Sequence, residues 1–247
     1  MFAYTAPPLC LKDKVILVTG AGDGIGKAAA KAYAQAGATV ILLGRSLDKL
    51  EATYDEIEAE GHPQPALVPM NLESAGEHEY NELAQTLINE FGRLDGLLHN
   101  AGILGLRTAL SDYDPSTWQQ VMQINVNAPF LLTQALMPLL EAAPHASVVF
   151  TSSGVGKKGR AYWGAYAVSK FATEGLMETL ADELDNTSNV RANAINPGAT
   201  RTQMRATAYP AEDPFTLPTP EDILPVYLYL MSDDSIGTNG KSLDAQG

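Results

Sequence analysis

Cysteine is nearly missing from this chain. Cys10 is the only one in 247 residues, so no disulfide can form within it, and its neighbours Leu9 and Leu11 predict a packed or partly covered thiol. Basic residues are also scarce. Sixteen Lys and Arg against 29 Asp and Glu leave a formal net charge of −13. A surface this acidic repels phosphate backbones and anionic lipid, which argues against nucleic acid and membranes as partners. Any phosphate-bearing ligand then needs a local positive field. No apolar run reaches the roughly 18 residues that a membrane span needs. The opening MFAYTAPPLCLKDK has no basic stretch leading into an apolar one, so the expected location is the cytoplasm. The four histidines, His62, His78, His99 and His145, are scattered without ligand spacing, and no metal site is expected.

What is present is a regular alternation. Strand-like runs at Val15–Thr19, Thr39–Leu43, Ala66–Met70, Leu94–His99, Ser147–Ser152 and Val190–Asn196 are separated by helix-like segments. One long helical pattern covers about Pro115 to Glu141, with Pro129 and Pro138 expected to bend or segment it. Another covers Tyr166–Leu184, and the chain closes with a helical Pro220–Met231 and a candidate last strand at Lys241–Asp244. Short apolar strands alternating with helices predict a parallel sheet covered on both faces. The expected architecture is α/β, a Rossmann-like doubly wound sheet in three layers, with residues 1–247 forming one domain. The stretch 199–222, rich in proline, breaks the rhythm and reads as a substrate loop or as a plain surface connection.

Between the first strand and the first helix lies Thr19-Gly20-Ala21-Gly22-Asp23-Gly24-Ile25-Gly26. Glycines in that place let the backbone approach a pyrophosphate whose charge is met by helix N-terminal amides. The spacing fits T-G-x-x-x-G-x-G on Gly20, Gly24 and Gly26, with Gly22 as an extra. An acidic residue after the second strand would repel a 2′-phosphate; this chain has Gly44 and then Arg45, whose guanidinium suits a phosphate monoester. Asp23 pulls the other way, and the balance favours NADP(H) over NAD(H).

Tyr166 and Lys170 stand four residues apart at the start of a helix, so they share a face. The expectation is that the ammonium stabilises the phenolate and lowers its pKa, making Tyr166 a proton donor and acceptor. Ser153 follows the fifth strand, at the carboxyl edge where ligands bind in such sheets, and can donate to a substrate oxygen. His99-Asn100-Ala101-Gly102 ends the fourth strand, and Asn125 lies in an apolar helical pattern, either as a satisfied buried amide or as part of a site.

With these motifs in order, VILVTGAGDGIG, ILLGR, LDGLLHNAG, WGAYAVSKFATEG and INPGATRTQMRA, the whole chain resembles the short-chain dehydrogenase/reductase family. Within it, the chain is most similar to bacterial oxidoreductases related to 3-oxoacyl-carrier-protein reductases. The resemblance implies hydride transfer between a nicotinamide cofactor and a carbonyl or alcohol. It implies Tyr166 as general acid/base, Lys170 on the nicotinamide ribose, Ser153 on the substrate carbonyl, and Asn125 holding a water in a relay to Lys170. It places Gly20, Gly22, Asp23, Gly24, Ile25 and Gly26 at the cofactor phosphates, with Arg45 at the 2′-phosphate. Asn71 and Leu72 are placed at the adenine, and Asn100, Ala101 and Gly102 at the adenosine half. Pro197, Gly198, Thr200 and Thr202 lie beside the nicotinamide and phosphates. It also implies a homodimer or homotetramer formed through the helices bearing Asn125 and Tyr166.

Three departures stand out. His99 replaces a common Asn and reads as structural. Asn71 replaces a common Asp, and Asp244-Ala245-Gln246-Gly247 differs from the usual V-D-G-G ending, which puts that edge contact in doubt. The pocket is expected to be lined by Gly154–Trp163, Ile103–Arg107 and the loop after Gly198. Lys157, Lys158 and Arg160 would meet a carrier group or form a solvated face. Arg201 and Arg205 would meet a substrate anion or pair with Glu212 or Asp213. A catalytically silent NADP(H)-sensing regulator of the same fold is the alternative, but it would have no use for Ser153, Tyr166 and Lys170 together.

Overall fold

The short apolar runs become the strands of one parallel sheet. In the computed structural model, which describes residues 1–247, these are β1 Val15–Thr19, β2 Thr39–Gly44, β3 Ala66–Pro69, β4 Gly96–His99, β5 Ala146–Thr151, β6 Val190–Asn196 and β7 Ser242–Asp244. Their order is β3-β2-β1-β4-β5-β6-β7. Alternation along each strand splits the core between two helical layers. Leu17, Ile41 and Leu43 pack with Tyr80 and Leu87 of α3 (Glu77–Phe91), Leu132 and Leu136 of α5 (Ala128–Glu141), and Met177 of α6 (Gly164–Leu184). Ile16, Val18 and Leu42 face the other way, onto Ala29 and Tyr33 of α1 (Gly24–Gln35), Leu50 of α2 (Leu47–Ala59) and Val226 of α8 (Leu224–Met231). No helix is long and apolar enough to cross a membrane.

The chain runs outward from β1 through β2 to β3, then crosses back so that β4 pairs with the other side of β1. Loops leaving the carboxyl ends of β1 and β4 therefore diverge and open a crevice between them, the place where doubly wound sheets bind ligands. The long pattern from Pro115 to Glu141 does break. Helix α4 (Pro115–Met122) passes through a π-turn at Gln123–Asn127 into α5. Pro129 sits in the first turn of α5 and has no N–H to offer the Asn125 carbonyl four residues back. Pro138, by contrast, lies inside an unbroken helix. The stretch 199–222 is less irregular than expected, since it carries the short helix α7 (Gln203–Ala208) and tight turns at Pro214–Thr216 and Glu221–Ile223.

His99, at the end of β4, is buried, stacks on Phe150 with ring centroids 4.9 Å apart, and shares a 2.7 Å hydrogen bond with the Thr133 hydroxyl. Burial pushes its pKa down to about 3, so it is neutral in the fold. In the unfolded chain it takes a proton near 6.5. Between those values the unfolded state binds the extra proton, so stability falls as pH drops from about 6.5 towards 3, with a slope of up to about 1.4 kcal/mol per pH unit. His99→Asn should shrink the difference in unfolding free energy between pH 7 and pH 5 by about 2 kcal/mol in urea melts. An unchanged difference would mean that His99 is not held neutral.

Candidate active site

The loop after β1 turns in left-handed conformation at Gly20 and Gly24, with φ of +70° and +51°. Gly26 answers a tighter demand. A Cβ there would lie 2.2 Å from the Gly20 carbonyl oxygen and 2.6 Å from Asn100 Nδ2, so loop, helix and the end of β4 meet at this residue. Gly20, Gly22, Asp23, Gly24 and Ile25 line a cleft of about 630 Å³, while Gly26 lies behind them and sets their packing. Asp23 caps α1, its Oδ1 accepting the Gly24 N–H at 2.8 Å. Its other oxygen accepts from Lys49 of α2, and this bond holds the Asp23 carboxyl below its usual pKa. Both side chains are more than half exposed, so the pair contributes about 0–1 kcal/mol to stability. Its importance is electrostatic, because Lys49 offsets the charge that opposed an anionic ligand. Arg45 follows β2, exposed at the cleft, with no hydrogen-bond or ion-pair partner in the protein.

The two carboxyl ends that frame the crevice are stapled by Thr19. Its hydroxyl donates to the Leu98 carbonyl at 3.2 Å and accepts the N–H groups of Asn100 and Ala101, each at 3.0 Å. Asn100, Ala101 and Gly102 are thereby set on the cleft wall, where Asn71 and Leu72 also lie after β3. The Asn71 side-chain oxygen turns back to accept the Glu73 N–H at 3.2 Å, which leaves it one lone pair for any other donor.

Tyr166 is the third residue of α6 and Lys170 lies one turn further on; both are buried and both line the cleft. Ser153 leaves β5 beside them, and its hydroxyl faces the phenol. The expected lowering of the Tyr166 pKa is not found. Burial pushes it up to about 12, and the Ser153 hydroxyl offsets this only in part. The reason is the position of the ammonium: Lys170 Nζ donates to the Thr151 carbonyl at 2.6 Å and lies 5.6 Å from the Tyr166 ring centroid. Lys170 itself is lowered to about 8 by burial, against the pull of Glu174 one turn beyond. Glu174 is fixed in turn by the hydroxyls of Ser152 and Ser242. The phenol thus keeps its proton at neutral pH, which suits a proton donor.

Asn125 does not line the cleft. Sitting in the π-turn, its carboxamide clamps the Ile103 backbone, accepting the N–H and donating to the carbonyl, both at 2.9 Å, and it donates to Ser169 at 3.0 Å. Gly102 makes room for it, since a Cβ there would lie 3.3 Å from Asn125 Oδ1. Pro197, Gly198, Thr200 and Thr202 complete the far wall.

Around Tyr166 the wall is apolar: Leu104, Trp163 and Ala208 form a small buried cluster with it, and Met204 packs against them. Of the expected lining segments, the loop after Gly198 reaches the cleft through Thr200, Thr202, Met204 and Ala208, whereas Gly154–Trp163 contributes only Trp163 and Ile103–Arg107 only Ile103 and Leu104. Arg107 turns outward to stack on Trp163 and Tyr209 at 4.8 and 5.0 Å, and donates to the Ala208 carbonyl. Arg205 is held by both oxygens of Glu212 at 2.6 Å, and Arg201 donates to the carbonyls of Pro214 and Leu217. The basic trio is partly engaged too. Lys157 pairs with Asp244 at 3.4 Å and Arg160 donates to the Tyr209 hydroxyl at 3.2 Å. Lys49 carries no motif signal in the sequence, Glu174 appears there only within the Trp163–Gly175 motif, Thr19 only as the first residue of the glycine motif, and Gln246 only as part of an unusual ending. Lys49 lies in the first turn of α2, four residues after Arg45, which precedes that helix.

The sequence matches the short chain dehydrogenase family over residues 14–213. It is 54% identical over 236 residues to the uncharacterized oxidoreductase YciK of Escherichia coli (strain K12), covering 96% of this chain and 93% of that one. It is 34% identical over 247 residues to the 3-oxoacyl-[acyl-carrier-protein] reductase FabG of Thermotoga maritima, covering 96% and 98% of the two chains. A Shigella flexneri 2a chain solved in complex with NADP superposes with a TM-score of 0.95 at 54% identity, over 98% of this chain and all of that one. These likenesses agree with the family resemblance carried by the motifs.

Proposed function

Because the chain belongs to the short-chain dehydrogenase family, we propose that it is an NADP(H)-dependent oxidoreductase acting on a carbonyl or alcohol, with Tyr166 as its general acid/base. One observation carries the reading: a buried, protonated phenol stands beside Ser153 and Lys170 at one end of the cleft whose other end is the glycine loop. The cleft fits a dinucleotide, since the loop would admit no Cβ at Gly26 and the cations Arg45 and Lys49 flank its outer end. When bound, the reduced nicotinamide supplies the hydride that reaches the carbonyl carbon. The remaining steps belong to the protein.

The Ser153 hydroxyl donates to the substrate oxygen and fixes its place. Tyr166 then passes its proton to that oxygen as negative charge develops there. The Lys170 ammonium, held by the Thr151 carbonyl, would bind the nicotinamide ribose and supply positive charge 5.6 Å from the Tyr166 ring as the proton leaves. Asn125 holds the Ile103 segment, and with it the cleft wall, through the paired bonds to its backbone. The relay water proposed for Asn125 has one free lone pair of Oδ1 to use. Leu104, Trp163, Met204 and Ala208 favour a substrate that carries its carbonyl on an apolar body.

Exposed Phe130 on α5, with Val168 and Phe171 on α6, supports assembly into a homodimer or homotetramer through these helices. The cofactor preference rests on Arg45, free at the end of β2, and on the Asp23–Lys49 pair that removes the one opposing charge. Arg45→Ala should raise the dissociation constant for NADPH by about tenfold and leave that for NADH nearly unchanged, as read by fluorescence titration. Equal losses for both would remove Arg45 from the 2′-phosphate. The activity itself is tested by following NADPH oxidation, with NADH in parallel, against ketones, aldehydes and 3-oxoacyl thioesters.

A further inference from the structure

In the segment that follows β7, Gln246 stands where the family resemblance has the first of two glycines, and it lies under the loop that forms the far wall of the cleft. The Gln246 side-chain nitrogen donates to the Pro197 carbonyl at 2.8 Å and the Ala199 carbonyl at 3.0 Å, and lies 3.3 Å from the Thr200 hydroxyl. Gly198 between them has φ +73°, and a Cβ on it would meet the Gln246 carboxamide at 2.8 Å. The loop and the glutamine are therefore packed as one unit. Pro197, Gly198 and Thr200 face the cleft, whereas Gln246 does not.

Peptide geometry gives this clasp a consequence. In a trans peptide the C=O and the next N–H point in opposite directions. Holding the Ala199 carbonyl from beneath therefore turns the Thr200 N–H to the other side of the loop. No backbone or side-chain acceptor in the protein takes that N–H, although Thr200 is buried. A buried backbone donor without a partner is costly unless a ligand supplies one. The Gly198 N–H, by contrast, is already taken by Asn196 Oδ1 at 3.2 Å.

We infer that Gln246 is a positioning residue of the cofactor cleft: by gripping the Pro197 and Ala199 carbonyls, it presents the Thr200 N–H as a hydrogen-bond donor to the bound nicotinamide dinucleotide. This rests on the function proposed above. The grip is itself anchored. The Ala245 N–H donates to the Asn196 carbonyl at 2.9 Å, Asn196 donates to Asp244 at 2.8 Å, and the Phe2 N–H donates to the Ala245 carbonyl at 2.9 Å. A carboxamide is required because the loop offers only acceptors. A side chain of equal length without N–H groups fills the same space and leaves the carbonyls unheld.

The test compares the full-length wild type with Gln246→Met and Gln246→Glu, which keep length and lose the donors. NADPH is titrated by fluorescence, and backbone hydrogen exchange of residues 197–202 is followed in the cofactor-free chain. The expected result is a dissociation constant raised about five- to thirtyfold in both variants, the loss of one or two neutral hydrogen bonds. The KM for NADPH should rise with little change in kcat, and exchange in 197–202 should quicken while the melting temperature holds. NADPH affinity in Gln246→Met equal to that of the wild type overturns the inference and leaves the functional reading intact. A wild type that binds neither NADPH nor NADH overturns the functional reading, and this inference with it. If Gln246→Met fails to fold, Gln246→Glu decides by the same two readouts.

Discussion

Tyr166→Phe should lower turnover by about 10²- to 10⁴-fold, the usual contribution of a positioned acid or base. The substitution removes one hydroxyl and nothing else. The ring keeps its tilted contact with Trp163, with centroids 5.8 Å apart, and its place among Leu104, Ala167 and Ala208. NADPH affinity should therefore stay near that of the wild type. The two readouts together separate loss of the proton donor from loss of the cleft. Because burial holds the phenol up at about 12, its own titration lies outside the working range. The group that titrates within reach is Lys170, brought down to about 8. Its charge is present below that pH and lost above it, so carbonyl reduction should fall as pH rises through about 8. Lys170→Arg, with a guanidinium that stays protonated, should move that limb upward. Undiminished turnover in Tyr166→Phe would remove it from the acid/base role.

Gly26→Ala should abolish cofactor binding at ordinary concentrations, raising the NADPH dissociation constant by about 100-fold, or about 2.7 kcal/mol. The added Cβ would lie 2.2 Å from the Gly20 carbonyl oxygen, which is backbone and cannot swing aside. The loop between β1 and α1 must shift, and the amides proposed to meet the phosphates shift with it. Overpacking of this kind costs about 1–3 kcal/mol of stability, so the chain should still fold, with a melting temperature several degrees lower. Gly159→Ala is the control, since its Cβ would meet nothing within 4 Å. Wild-type NADPH affinity in Gly26→Ala would mean that the loop does not carry the phosphates.

The parts of this account that were legible in the sequence share a property: each is local. The strand runs, the glycine spacing and the pairing of Tyr166 with Lys170 one turn apart are set by neighbours within a few residues. Arg45 was legible for the same reason, through its place after a strand. What was not legible joins distant parts of the chain. Gln246 meets Pro197 across 49 positions, and Glu174 meets Ser242 across 68. Nothing in the spacing of those residues marks the contact. The direction of the Tyr166 shift was misread because two effects oppose each other, and only the structure shows that Lys170 points at the Thr151 carbonyl while burial dominates the phenol. The arginines around the mouth were ambiguous between ligand and partner. Arg205 resolves to Glu212, and Arg201 to the carbonyls of Pro214 and Leu217.

The measurement that bears most directly on the central claim is NADPH oxidation by the wild type and by Tyr166→Phe, side by side, over a panel of apolar ketones, aldehydes and 3-oxoacyl thioesters, with NADPH affinity recorded for both. The account predicts turnover of at least one carbonyl compound by the wild type, its loss in Tyr166→Phe, and NADPH binding by both. Tight NADPH binding with no turnover of any carbonyl compound by the wild type would contradict it, and would leave a chain that senses the cofactor without using it.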